Sequence, residues 1–253
     1  MLSVIIITKN EAAKIRDCLE SVAWADEIVV VDSGSSDETI SICREYTNHV
    51  VHHDWPGFGP QKNYALSLAS NDWVLSLDAD ERIPEALAAE IKEKLQSASQ
   101  SDIAFYIPRR SSFCGRFMRF CGWYPDYVLR LFRRGSASFS DDLVHEKVLS
   151  NGPCGYLKEP MLHLSVDNLD QAINKMNLYS TIAANEKFER GQRSTLLTAI
   201  SRGGWTFFRV YFLRLGILDG RQGFMLSVAN AGGTYYKYAK LAELASSAPT
   251  SKS

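Results

Sequence analysis

Short apolar runs alternate with amphipathic stretches along the first hundred residues. Ser3–Thr8, Glu27–Asp32, Val50–His53 and Trp73–Leu77 are mostly or continuously hydrophobic, the pattern of strands covered on both faces. Between them lie helical signals. Ile15, Leu19 and Val22 mark an apolar stripe, with Asn10 placed to cap its start. Ser33–Thr39 opens a second helix, in which Ser35 and Glu38 have the spacing of a capping box. After the Gly/Pro loop Trp55–Pro60 a third helix runs from Gln61 to Leu68, and Pro84 begins a fourth that reaches Leu95. Strands alternating with helices predict an α/β fold: a doubly wound, mostly parallel sheet with helices on both faces. Ligands on such sheets bind beyond the carboxyl ends of the strands.

The pattern then loosens. Beyond Ile103–Pro108, the basic and aromatic stretch Arg109–Trp123 reads as a loop over the sheet edge, Tyr127–Arg134 as a strand, and Leu169–Arg190 as a helix. These readings divide the chain into a domain at 1–165, a helical, basic and aromatic region at 166–245, and a small polar tail at 246–253 expected to be disordered. At helical spacing Arg202–Leu215 puts Trp205, Phe208, Tyr211, Phe212 and Leu215 on one side, Arg202 and Arg209 opposite, and Arg214 between. Such a helix suits an anionic bilayer surface or a phosphorylated lipid, and equally suits packing on the catalytic domain.

Total charge says little, because 28 basic side chains face 29 acidic ones. Its distribution says more: residues 1–100 hold eight Lys/Arg against seventeen Asp/Glu, and residues 187–240 hold nine against two. The acidic first half and the lack of a recognisable module argue against nucleic acid as a partner. Five cysteines without a CxxC spacing argue against a disulfide framework or zinc site and for a reducing compartment. With no signal-peptide pattern and no run of about 18 apolar residues, the expected location is the cytoplasm.

Candidate chemistry concentrates where Trp73–Leu77 ends. Asp78 and Asp80, two residues apart, lie on one side of an extended chain, and a turn after Asp78 would bring both carboxylates towards one point. That suits Mg²⁺ or Mn²⁺ completed by a substrate's phosphates; the same residues also read as a solvated turn. The Ser33–Glu38 turn offers free N–H groups to anions or ribose hydroxyls, yet matches neither GxGxxG nor a P-loop.

Four stretches, Ser3-Val-Ile-Ile-Ile-Thr-Lys-Asn-Glu11, Val31-Asp-Ser-Gly-Ser-Ser-Asp-Glu-Thr39, Gln61-Lys-Asn63 and Leu77-Asp-Ala-Asp80, resemble in order and spacing the motifs of family 2 glycosyltransferases with the GT-A fold. Val128-Leu-Arg-Leu-Phe-Arg133, Val144-His-Glu146 and Gly216-Ile-Leu-Asp-Gly220 resemble the bacterial subgroup that includes lipopolysaccharide inner-core β-1,4-glucosyltransferases. The resemblance implies that Thr8, Asn10 and Glu11 line a nucleotide pocket and that Asp32 recognises uridine. It implies that Lys62 meets the base or diphosphate, Asp78 the ribose or a metal-bound water, and Asp80 the divalent cation itself. Lys62 stands where the family often has Arg, a point charge in place of a planar fork.

An acceptor hydroxyl must lose its proton as it attacks, so a carboxylate base is required. Asp126, Asp141, Asp142 and Glu146 are the candidates. Glu146 is favoured because His145 beside it would complete the metal shell; both serve one site only if their segment is a loop. The expectation is an inverting, metal-dependent transferase that moves a hexose, glucose from UDP-glucose, to the heptose inner core of lipopolysaccharide at the cytoplasmic membrane face. Transfer to a polyprenyl phosphate or another glycan is one alternative, and a non-catalytic carbohydrate- or membrane-binding relative is another.

Overall fold

The computed structural model describes residues 1–99, 101–140 and 147–247. The expectations placed on His145, Glu146, Asp141, Asp142 and most of the tail fall outside the described residues. The chain forms two compact units: Met1–Arg110 with Asp126–His163, and Ser111–Pro125 with the chain from Leu164 onward. The sequence reading had assigned 111–125 to the first domain.

In the first unit the expected alternation is present, as β1 (Leu2–Thr8), α1 (Ala12–Ser21), β2 (Glu27–Asp32), α2 (Thr39–Arg44), β3 (Val50–His52), α3 (Phe58–Leu68) and β4 (Trp73–Asp78). The strand order β3-β2-β1-β4 is parallel throughout. Side-chain alternation splits the strands between two cores. Val4, Ile6, Val30, Leu75 and Leu77 pack with Ile15 and Leu19 of α1 on one face; Ile5, Val29, Val31 and Val74 pack with Ala65 of α3 on the other. That is why these strands are hydrophobic at nearly every position.

Then come β5 (Glu81–Arg82), α4 (Glu85–Ser97) and β6 (Ala104–Phe113), the hairpin strand β7 (Arg116–Phe117), and β8 (Asp126–Arg133). Next are β9 (Ala137–Phe139), β10 (Val148–Ser150), β11 (Cys154–Tyr156) and β12 (Met161–Val166). β8 extends the parallel half by pairing antiparallel with both β4 and β6. The sheet is therefore the expected α/β core with an antiparallel extension. Arg109–Trp123 corrects the sequence reading: its first residues continue β6, which turns through Cys114 and Gly115, both at positive φ, into β7. Four consecutive polar residues, Arg109–Ser112, had masked a strand.

The second unit contains α5 (Leu169–Glu189), α6 (Leu196–Phe208), a π-helical turn at Arg209–Leu213, a 3₁₀ turn at Gly216–Asp219 and α7 (Gly220–Ser247). The helix expected over Arg202–Leu215 is present, α-helical to Phe208 and π-helical over Arg209–Leu213, and it ends where Leu215 takes φ 53°. Buried Asp219 accepts the backbone N–H of Phe120 at 2.8 Å and that of Arg119 at 3.2 Å, fixing the strap 111–125 to the helices. Gly223 is required here: a Cβ would lie 1.9 Å from the Gly216 carbonyl. Among the described residues no helix is long and apolar enough to cross a membrane.

The central strand carries the stability of the first unit. Leu75→Ala, at a fully buried position of β4, is expected to cost about 2–5 kcal/mol, read as a lowered urea midpoint.

Candidate active site

The parallel strands end together. Thr8 pairs with Asp32 and Ile7 with Asp78 in the β1 ladders, so the polar residues of three strands share one carboxyl edge. The turns after β1 and β2 are tied by side chains. Asp32, almost wholly buried, accepts the N–H groups of Gly34 and Ser35 at 2.8 Å each, and Ser35 Oγ donates to its other oxygen. Asn10 does not cap α1. It adopts φ 55° and its Oδ1 accepts the Ser36 N–H at 2.8 Å. The N–H groups at the α1 start are met across the gap, Glu11 by Thr39 Oγ1 at 2.8 Å and Ala12 by Asp37 Oδ2 at 3.2 Å. The Thr39 hydroxyl in turn holds the Asp37 carboxyl below its ordinary value. The Ser35–Glu38 capping box is likewise absent, because Ser35 is committed to Asp32 and α2 starts at Thr39 without a side-chain cap.

Adjacent residues of α3 connect this turn system to β4. Gln61 Nε2 donates to Ser33 Oγ at 2.8 Å, while Lys62 Nζ meets Asp78 Oδ1 at 2.9 Å. Arg130 of β8 contacts the other oxygen of Asp78 at 2.5 Å and Glu81 Oε1 at 2.8 Å. Arg109 of β6 reaches Glu81 at 3.5 Å and Asp126 at 2.7 Å. Three cations thus face three carboxylates. Burial would push the Asp78 carboxyl up, but the charge of Arg130, and after it Lys62, holds it well below the usual carboxylate range.

This cluster changes the role available to Asp78. Both its oxygens are engaged, one by Lys62 and the other by Arg130. Asp80 has a different partner, with its Oδ2 3.3 Å from His163 Nε2 of β12. One carboxylate and one imidazole, both partly exposed, make a donor set suited to Mn²⁺ or Mg²⁺ that keeps positions for phosphate and water. Their spacing also fits, because neighbouring ligands around an ion at about 2.1 Å lie about 3 Å apart. Among the described residues no three His, Cys, Asp or Glu side chains converge, so a substrate would have to complete the shell. Thr8, at 5% exposure, has an Oγ1 with no hydrogen-bond partner, an unmet polar group at the same edge. A cavity of about 380 Å³ opens beside Asp78 and Arg130, lined also by Tyr106, Arg109, Tyr127 and Phe139.

The model of glycosyl transferase family 2 matches residues 3–141. The chain belongs to that family. The lipopolysaccharide core biosynthesis glycosyltransferase LpsC of Rhizobium meliloti is 33% identical over 253 residues, covering 95% of this chain and 91% of that protein. An uncharacterized glycosyltransferase of Rickettsia bellii is 32% identical over 260 residues, covering 96% and 86%. Among solved structures, glucosyl-3-phosphoglycerate synthase from Mycobacterium tuberculosis, in complex with Mg²⁺ and uridine diphosphate, is 25% identical. Its TM-score is 0.36, covering 46% of this chain and 44% of that one.

Sequence reasoning about this family 2 glycosyltransferase missed Glu81, Arg109, Arg130 and His163. The signal was faint but present: Arg130 and His163 are polar residues inside apolar strands, where a charge persists only with a partner. Asp126, a candidate base, is held by Arg109 through two bonds to one oxygen, at 2.7 and 3.0 Å.

Removing Arg130 tests the cluster. Arg130→Met leaves buried Glu81 and Asp78 short of a cation and is expected to cost about 3–5 kcal/mol. In the parent the depressed Asp78 stabilises fully above the ordinary carboxylate value and loses that contribution only as pH falls towards the depressed one. In the variant Asp78 keeps only Lys62 of its two cations and is protonated more readily, so the deficit should shrink as pH is lowered from about 7 to about 5. Urea unfolding across that range measures both.

Proposed function

We propose that this glycosyltransferase transfers a hexose, glucose from UDP-glucose, to a heptose of the lipopolysaccharide inner core, with inversion and with a divalent cation, at the cytoplasmic face of the membrane. The observation that carries the reading is the Asp80–His163 pair, set beyond a charge-balanced cluster at the shared edge of the parallel strands. Asp80 and His163 would hold Mg²⁺ or Mn²⁺, which when bound stabilises negative charge on the departing diphosphate as a Lewis acid.

The remaining roles belong to the chain's own residues. The unpartnered Thr8 hydroxyl and the turns built on Asn10, Glu11 and Asp32 form the nucleotide side, where Asp32 is held rigid by its own loop. Lys62 and Arg130 fix the Asp78 carboxylate facing the cavity in which the sugar would lie. Glu146, on the strength of the sequence, takes the proton of the acceptor hydroxyl as its oxygen bonds to the anomeric carbon and the bond to the diphosphate oxygen breaks. Support for the lipopolysaccharide acceptor comes from the resemblance of the motifs and from LpsC, a relative that aligns over most of both chains.

UDP release from UDP-glucose with a truncated core acceptor tests the reading. Activity should require Mg²⁺ or Mn²⁺ and fall about 100-fold or more in Asp80→Ala and in His163→Ala. Turnover indifferent to chelator and to both substitutions would refute it. Glu146→Gln should keep UDP binding while transfer drops roughly 10²- to 10⁴-fold; near-normal transfer would move the base role to Asp126.

A further inference from the structure

The backbone on both sides of Asp80 is held by one buried side chain. Arg82, at 9% exposure, donates from Nη1 to the carbonyl of Ala79 at 2.9 Å and to that of Glu81 at 2.8 Å. Its Nη2 donates to the Lys14 carbonyl of α1. The same helix supplies the Cys18 thiol, which donates to the Asp78 carbonyl at 3.5 Å. Helix α1 thus fixes the chain before and after Asp80, while the Asp80 carboxylate itself meets His163. The β5–β12 ladder starts on the next residue, with Glu81 opposite His163 and Arg82 opposite Leu162. One guanidinium therefore sets both the turn that carries Asp80 and the strand edge along which His163 is laid.

Stability does not account for a cation at this place. The other buried arginine beside this turn, Arg130, meets Asp78 at 2.5 Å and Glu81 at 2.8 Å. Arg82 is paired with Asp17, which lies 3.7 Å away with its side chain 69% exposed, and the Arg82 Nε is buried without a hydrogen-bond partner. Taking a charge out of water is costly without a close counter-ion, so the return on burying Arg82 lies in its carbonyl contacts. Three carbonyls from two elements suit the planar fork of a guanidinium, and the ammonium of Lys does not reproduce that geometry. Side chains that stand behind a metal ligand in this way orient it, and their loss weakens metal binding.

We infer that Arg82 is a positioning residue for the divalent cation: it holds Asp80 where its carboxylate and the His163 imidazole bind one ion together. The inference rests on the reading of that pair as metal ligands.

The test is titration of the full chain with Mn²⁺ in the presence of UDP, free Mn²⁺ being read by electron paramagnetic resonance. Arg82→Lys and Arg82→Gln should bind Mn²⁺ about 10- to 100-fold more weakly than the parent. UDP-glucose turnover in Arg82→Lys should recover as Mn²⁺ is raised. Leu75→Ala, which loosens the same strand from its apolar side, should keep the parent's Mn²⁺ affinity. Arg82 variants that bind Mn²⁺ as the parent does would overturn the inference, as would an equal loss in Leu75→Ala. Tighter binding in Arg82→Gln would also overturn it, by showing that the guanidinium acts as a repelling charge. Hydrogen exchange on the parent decides the matter even if both Arg82 variants fail to fold. Relative to UDP alone, Mg²⁺ with UDP should slow exchange over 79–83 and, through the Arg82 bonds, over 14–18 of α1. Protection confined to 79–83 would overturn the inference. A parent that binds no Mn²⁺ refutes the metal reading itself, whereas a parent that binds it and variants that bind it equally refute the role of Arg82 alone.

Discussion

The carboxylate of Asp78 is gripped from both sides, by Lys62 of α3 and Arg130 of β8, and the arrangement of the first unit turns on that contact. Each ion taken from water costs several kcal/mol, and a partial set would leave a buried charge unmatched. The set closes because Glu81 shares Arg130, accepts the Asp78 N–H at 3.0 Å, and draws in Arg109, which ends on Asp126. Strand, helix and antiparallel extension are thereby locked in one register around β4. The same closure releases Asp80. With the other three acids of the cluster matched by cations, Asp80 is the carboxylate left to pair with an imidazole at the edge of the site.

The part of the edge formed by the turns after β1 and β2 is built by a different means. There the organising groups are short polar side chains that replace backbone partners across two turns. Asp32 closes its own loop, Asn10 and Ser36 join the loops, and Thr39 and Asp37 satisfy the first amides of α1. Gln61 and Lys62, neighbours on α3, touch one system each. A single helix start thus sets the spacing between a rigid amide-rich turn and a charged cluster.

The second unit follows other rules. Asp219 and Gly223 give its strap and helix starts a defined packing, yet the stripes of α5, α6 and α7 remain open to solvent. Burying such a surface releases roughly 25 cal/mol per Å², a driving force that internal packing has left unspent.

By itself the sequence determined the parallel half of the sheet and the residues at its edge. A strand covered on both faces must be hydrophobic at nearly every position, and a polar residue ending such a run has no local reason to be there; Thr8, Asp32 and Asp78 were legible on that ground. Tertiary structure alone decided how those residues are used. Asn10 and Ser35 carry good helix-capping signals, but a bond across two turns and a bond to Asp32 took precedence. Asp78 and Asp80 share a spacing and not a partner, because cations 16 and 52 positions away from Asp78 in the chain claim it first. His163 lies 83 residues beyond Asp80. No local pattern encodes that meeting, because it exists only once β12 has been laid antiparallel to β5.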